Sequence, residues 1–247
     1  MSATVLEIGR LRVSYAGNRA LDLDSLSVGA GEVVGVVGAN GAGKSTLVNA
    51  VAGWSRGTPT VEAQLSLGGQ RLDAWPTHQR VRAGLVLVPE GRVAFGRMSV
   101  DDNLCTAFTP APPGASEGRH IYSRDEVYAL FPRLHERRHH LGNQLSGGER
   151  QMLGIGRALM MGPRLLMLDE PSIGLAPKMV EQVLGTLKVL ARKGLAILLV
   201  EQNVRAAIDV VERLVLIERG RKVLEGAASE VGNDPRIAQA YLGASTT

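Results

Sequence analysis

Short apolar runs punctuate this chain at intervals, and polar or helix-patterned stretches separate them. Residues 33–37 read VVGVV between glycines, which predicts a strand buried on both faces. Similar runs at 85–88, 165–168, 195–200 and 214–217 predict further buried strands. Residues 5–15 alternate loosely and predict a half-exposed strand. Helical patterns fill the gaps at about 44–52, 148–161 and 177–193. Strands alternating with helices imply a mostly parallel sheet covered on both faces, hence an α/β fold.

The pattern changes between residues 92 and 161. Strand signals vanish there and polar helical segments take over. Residues 109–118 (TPAPPGASEG) predict a loop, because prolines and glycines prevent regular pairing. This stretch reads as a helical subdomain inserted into one α/β domain spanning 1–247. After residue 227 only one short helix is expected.

Composition narrows the class. Of 247 residues, 45% are hydrophobic and 21% charged, as in an ordinary globular protein. No apolar run reaches the roughly 18 residues that a membrane span needs. The N-terminus has no basic segment followed by an apolar one, so no secretory signal is expected. The single cysteine, Cys105, excludes an intrachain disulfide and reads as a structural thiol. The net charge of +4 could suggest nucleic acid. The basic residues are scattered, however, and aromatics are only 4%, too few for base stacking. The one dense basic cluster, residues 133–140, reads as a solvated helix face. No nucleic-acid partner is expected.

Three motifs carry chemistry. Residues 38–46 read GANGAGKST, which fits G-x-x-x-x-G-K-[ST] between a buried strand and a helix. Gly38, Asn40, Gly41, Ala42 and Gly43 form a loop whose backbone N–H groups can turn toward phosphate. The helix N-terminus adds its positive end. Lys44 supplies a point charge to the β- and γ-phosphates of ATP, Ser45 can ligate Mg²⁺, and Thr46 can reach the α-phosphate. Residues 165–171 read LLMLDEP, an apolar strand ending in two carboxylates at the edge where α/β ligands bind. Asp169 suits Mg²⁺; Glu170, pointing differently, suits an attacking water. Residues 145–151 read LSGGERQ, where Ser146 can cap a helix and Glu149 can complete a capping box. Two glycines at a helix start also make a second anion site. One chain cannot easily apply both anion sites to one nucleotide, whereas two chains packed head to tail can.

The order of P-loop, LSGGERQ and LLMLDEP resembles ATP-binding-cassette transporter ATPases over essentially the whole chain. The resemblance implies the P-loop NTPase fold of that cassette: a mostly parallel core sheet, an N-terminal antiparallel β portion and an inserted helical subdomain. It implies ATP and Mg²⁺ as cofactors, with Tyr15 stacking on adenine. It implies that Ser146, Gly147 and Gly148 meet the γ-phosphate of a partner chain. It places Glu170, Lys44 and Gln202 in the catalytic set and Ser45, Glu90 and Asp169 around the metal.

Three positions depart from the common pattern. Glu90 stands for the usual glutamine, Gln202 for the switch histidine, and Ala176 for the aspartate after the acidic pair. Glutamine can hydrogen-bond a phosphate but cannot exchange a proton near pH 7. PEGR, DEPSIGLAP and VEQN together resemble the second ATPase of bacterial branched-chain amino-acid importers. A subgroup serving urea and short-chain amide importers is similar. The partners so implied are a second ATPase subunit, membrane permease subunits and, indirectly, a periplasmic solute-binding protein. The implied location is peripheral, at the cytoplasmic face of the inner membrane.

Overall fold

The computed structural model describes residues 3–55, 57–91, 94–107, 118–232 and 234–237. Two sheets organise them. In the first, β1 (Thr4–Tyr15) pairs antiparallel with β2 (Asn18–Leu23), β3 (Leu26–Gly29) and β5 (Thr60–Leu67), and β5 pairs with β6 (Gln70–Arg71). The second has the order β11-β10-β4-β9-β8-β7. Its parallel members are β10 (Arg213–Glu218), β4 (Val33–Val37), β9 (Ala196–Glu201), β8 (Leu165–Asp169) and β7 (Leu85–Val88). β11 (Arg221–Ala227) returns antiparallel along the edge.

The expected buried strands are all present, and the reason is visible in their packing. In β8, Leu165 and Met167 face one apolar cluster while Leu166 and Leu168 face the other. In β9, Ala196, Leu198 and Val200 face the first cluster; Ile197 and Leu199 face the second. A parallel strand with two buried faces reads as a continuous apolar run. The first cluster joins the antiparallel sheet and α1 (Lys44–Ala52) to the parallel sheet. The second joins the parallel sheet to the helices.

Those helices include α3 (Val100–Cys105), α4 (Arg124–Leu130), α5 (Pro132–Glu136) and α6 (Gly147–Met160), all between β7 and β8. α3, α4 and α6 each begin at a serine capping box, on Ser99, Ser123 and Ser146. α7 (Pro177–Arg192) follows β8 and α8 (Val204–Ile208) follows β9. The short helix expected after residue 227 is α9 (Ala228–Val231). The loop expected at 109–118 lies, except for Gly118, outside the described residues.

Two buried or half-buried arginines tie separate elements together. Arg80 of α2 (Thr77–Arg82) is buried and donates through Nη1 to the carbonyls of Ala50 and Val51 at 3.0 and 2.8 Å. It thereby closes the C-terminus of α1, where carbonyls lack helical partners. Arg213 ties β10 to Glu32, just before β4, and to the Ser27 carbonyl. The reading of Cys105 as a structural thiol does not hold: the residue is exposed at the end of α3, where no apolar packing encloses it.

Candidate functional site

The site lies at the carboxyl ends of β4 and β8. β4 ends at Val37, and residues 38–43 turn the chain into α1. Gly38 is required by close approach: a Cβ there would lie 2.2 Å from the Ile217 carbonyl oxygen. Gly43 caps the helix at φ 109°, a conformation that side chains rarely adopt. Ala42 packs inward among the apolar residues.

Lys44 is buried, and its ammonium donates to the carbonyls of Gly38 (2.9 Å) and Ala39 (3.2 Å). It also pairs with Glu170 Oε1 at 3.3 Å. The Ser45 hydroxyl donates to Asp169 Oδ1 at 3.2 Å. Asn40, Gly41, Gly43, Lys44, Ser45 and Thr46 line one side of a cavity of about 560 Å³. Glu90, Glu170 and Ile173 line another side, and Arg19, Ala20 and Arg219 complete it.

The two carboxylates of the acidic pair differ in setting. Asp169 closes β8 and is buried. Burial pushes its carboxyl up to about 6; nearby Glu170 and Glu90 act the same way, against Ser45 and Lys44. Glu170 has left the strand, with its backbone at φ 48° and its N–H donating to Val200 O at 2.9 Å. Its side chain reaches Lys44.

Oxygen donors dominate here, as a hard cation requires. Among the described residues no group of three acidic, histidine or cysteine side chains could hold a metal alone. The Ser45 hydroxyl, Asp169 and Glu90 instead fit Mg²⁺ that arrives with phosphate oxygens, since this ion keeps few protein ligands.

Other predicted residues sit apart from the cavity. Ser146 caps α6: its hydroxyl accepts from Glu149 N–H at 3.3 Å, and Glu149 Oε2 accepts from Ser146 N–H at 2.8 Å. Gly147 and Gly148 open that helix, and a Cβ on Gly148 would meet Met179 Cε at 2.4 Å. None of the three lines the cavity of their own chain. Tyr15 ends β1 and packs, half-buried, against the antiparallel sheet's apolar cluster rather than lining the cavity. Gln202 is half-buried one residue beyond β9 and is likewise outside the lining.

Three functional candidates were not evident from the sequence. Arg19 follows the Ala16–Gly17 turn between β1 and β2, and Arg219 sits at φ 48° in the turn between β10 and β11. A charged residue near a hairpin tip reads as solvated; only the packing of the two sheets brings both to one cavity. Glu201, buried near the acidic pair, lies within VEQN, where only Gln202 drew attention.

Comparison with known proteins places the fold and the family. The sequence profile described as ABC transporter matches residues 21–173. BraG of Pseudomonas aeruginosa, a high-affinity branched-chain amino acid transport ATP-binding protein, is 37% identical over 97% of this chain and 100% of its own length. The lipopolysaccharide export system ATP-binding protein LptB of Escherichia coli is 32% identical over 94% of this chain and 95% of its own. Among solved structures, a nucleotide-free ATP-binding cassette from an ABC transporter superposes with a TM-score of 0.80. It covers 96% of this chain and 98% of that one at 22% identity. An ATP-binding cassette of an ABC transporter in its ADP conformation gives 0.78 at 25% identity, covering 98% of this chain and 100% of that one.

Proposed function

The chain belongs to the ABC transporter family as an ATPase subunit, and on that premise we propose that it powers a branched-chain amino-acid importer. The observation that carries the solute class is the 37% identity to BraG along that protein's whole length. Glu90 in PEGR, Gln202 in VEQN and Ala176 in DEPSIGLAP support the same reading. A second reading, an exporter ATPase of the LptB kind, rests on the 32% identity to that protein.

In the proposed mechanism, ATP enters the 560 Å³ cavity with its phosphates on residues 38–46. Lys44 exchanges the carbonyls of Gly38 and Ala39 for the β- and γ-phosphate oxygens. That exchange also loosens its pair with Glu170 and leaves the carboxylate free to accept a proton from the attacking water. Mg²⁺ supplies neutralisation of phosphate charge, and Ser45, Asp169 and Glu90 would hold it. Thr46 bonds the α-phosphate and Gln202 the γ-phosphate. Tyr15, paired with Asn18 across the hairpin that carries Arg19, would have to turn from its packed position to stack on adenine. Ser146, Gly147 and Gly148 serve the nucleotide of a partner ATPase, a non-identical twin of this chain. Residues 92–161 act as the helical subdomain whose movement passes near Glu90 to permease subunits. No helix among the described residues is long and apolar enough to cross a membrane. Attachment at the cytoplasmic face through those permeases fits that observation, with a periplasmic binding protein delivering the solute.

The test has two parts. Co-purification from the native membrane should recover a second ATPase and two permeases, and the reconstituted complex should take up labelled leucine or isoleucine on ATP addition. ATP-driven lipopolysaccharide release without leucine uptake would favour the exporter reading. Glu170→Gln should keep MgATP binding and lose turnover. Wild-type turnover in that variant would remove Glu170 as the base.

A further inference from the structure

Glu201 is a buried carboxylate to which the mechanism above gives no task. It closes β9 at 1% exposure, opposite Val37 where β4 ends and the phosphate loop begins. Both oxygens are engaged by one residue. Ser172 N–H donates to Oε1 at 3.0 Å, and the Ser172 hydroxyl donates to Oε2 at 2.7 Å.

Ser172 lies two residues after Glu170. Glu170 is itself held from β9, through its N–H on Val200 O. Two consecutive residues of β9 therefore grip the chain on either side of Pro171. At the first of these grips Glu170 keeps φ at 48°, which a non-glycine residue holds only where its surroundings over-determine it. Beyond the grip the chain runs outward: Ile173 is 52% exposed, and Gly174 and Ala176 are exposed. A carboxylate without a cationic partner is an expensive group to bury, and burial pushes this one up to about 7. An apolar residue at the end of an otherwise apolar strand would avoid that cost, but it could not hold Ser172.

We propose that Glu201 is a positioning residue for ATP hydrolysis. Through Ser172 it fixes the segment that aims the Glu170 carboxylate into the cavity. It also couples that aim to whatever contacts the exposed segment 173–176. The inference rests on the assignment of Glu170 as the general base.

The test uses the full chain with its transport complex. Glu201→Ala, Ser172→Ala, Glu201→Gln and Glu170→Gln are compared for kcat, KM and ATP affinity, with rates normalised to the nucleotide-binding sites present. Glu201→Ala and Ser172→Ala should each lower kcat at least tenfold while KM and affinity change less than about threefold. Combining them should lower kcat no further than Glu201→Ala alone, since Ser172→Ala removes only the hydroxyl bond, one of the two that Glu201→Ala removes. Glu201→Gln should restore most of kcat, because its amide oxygen can accept from Ser172 N–H and its NH₂ can donate to the hydroxyl. Near-normal kcat in Ser172→Ala would overturn the proposal even if Glu201→Ala fails to fold. Equal losses in Glu201→Gln and Glu201→Ala would also overturn it, by showing that charge and not positioning is required. If Glu170→Gln is inactive while Ser172→Ala is normal, only this proposal fails. If Glu170→Gln turns over normally, the assignment of the base fails first.

Discussion

Replacing Glu201 by glutamine should change how stability depends on pH, by an amount the structure sets. The folded chain buries this carboxyl and raises it from an ordinary 4.5 to about 7, chiefly by burial and further by Glu170. Its hydrogen bonds from Ser172 oppose the rise without cancelling it. Between those two pH values the folded state keeps a proton that the unfolded state has released. Stability from this group is therefore complete below about pH 4.5 and is lost as pH rises through 7. At about 1.4 kcal/mol per pH unit, the interval corresponds to about 3 kcal/mol. Glutamine stays neutral throughout and keeps the contacts to Ser172. Urea unfolding of the nucleotide-free chain at pH 5, 6, 7 and 8 measures the effect. The two proteins should be nearly equal at pH 5, with Glu201→Gln becoming more stable by up to about 3 kcal/mol at pH 8. Parallel pH profiles, or a less stable variant at pH 8, would refute the reasoning. Either result would mean that the carboxylate is well solvated or well paired when charged.

Other substitutions test the frame around the site. Gly38→Ala places a Cβ 2.2 Å from a backbone oxygen that cannot swing aside; a loss of about 3 kcal/mol in urea unfolding, with weakened ATP binding, is expected. Ser146→Ala removes the capping box of α6 and should cost about 1 kcal/mol, read as a lowered Tm. Arg80→Ala strips two charge-assisted bonds from the C-terminus of α1; about 3 kcal/mol should be lost in denaturant titration. Lys44→Ala should weaken ATP binding at least tenfold in calorimetry, since a charge-assisted bond to phosphate contributes about 1.5–3 kcal/mol.

How far the sequence could be read depended on burial. β4, β8 and β9 are apolar on both faces, so their runs stand out against any background. β5 does not: Thr60, Val61, Glu62 and Gln64 are exposed, which leaves only a weak alternation, and β6 is two residues long. The P-loop and acidic strand were legible because each motif needs a particular residue at a particular offset. Arg19, Arg219 and Glu201 were not, because each belongs to the site through a neighbour far along the chain. Glu201 reaches Ser172 across 29 positions, and Arg219 comes to the cavity only when β10 packs beside β4.

The position of β4 has a consequence for the order in which this chain can assemble. Its neighbours in the sheet are β9 and β10, which begin at residues 196 and 213. Gly38 is fitted against Ile217, and the Gly220 N–H closes on Ala42 O at 2.8 Å. Residues 38–43 thus leave the ribosome well before the segments that fix them. Contacts of such wide sequence separation form slowly. A nascent chain ending near residue 200 would carry the whole P-loop sequence and still present it unsupported on one side. Support for this loop is complete only once synthesis has passed the turn at Arg219, far along the chain from the loop itself.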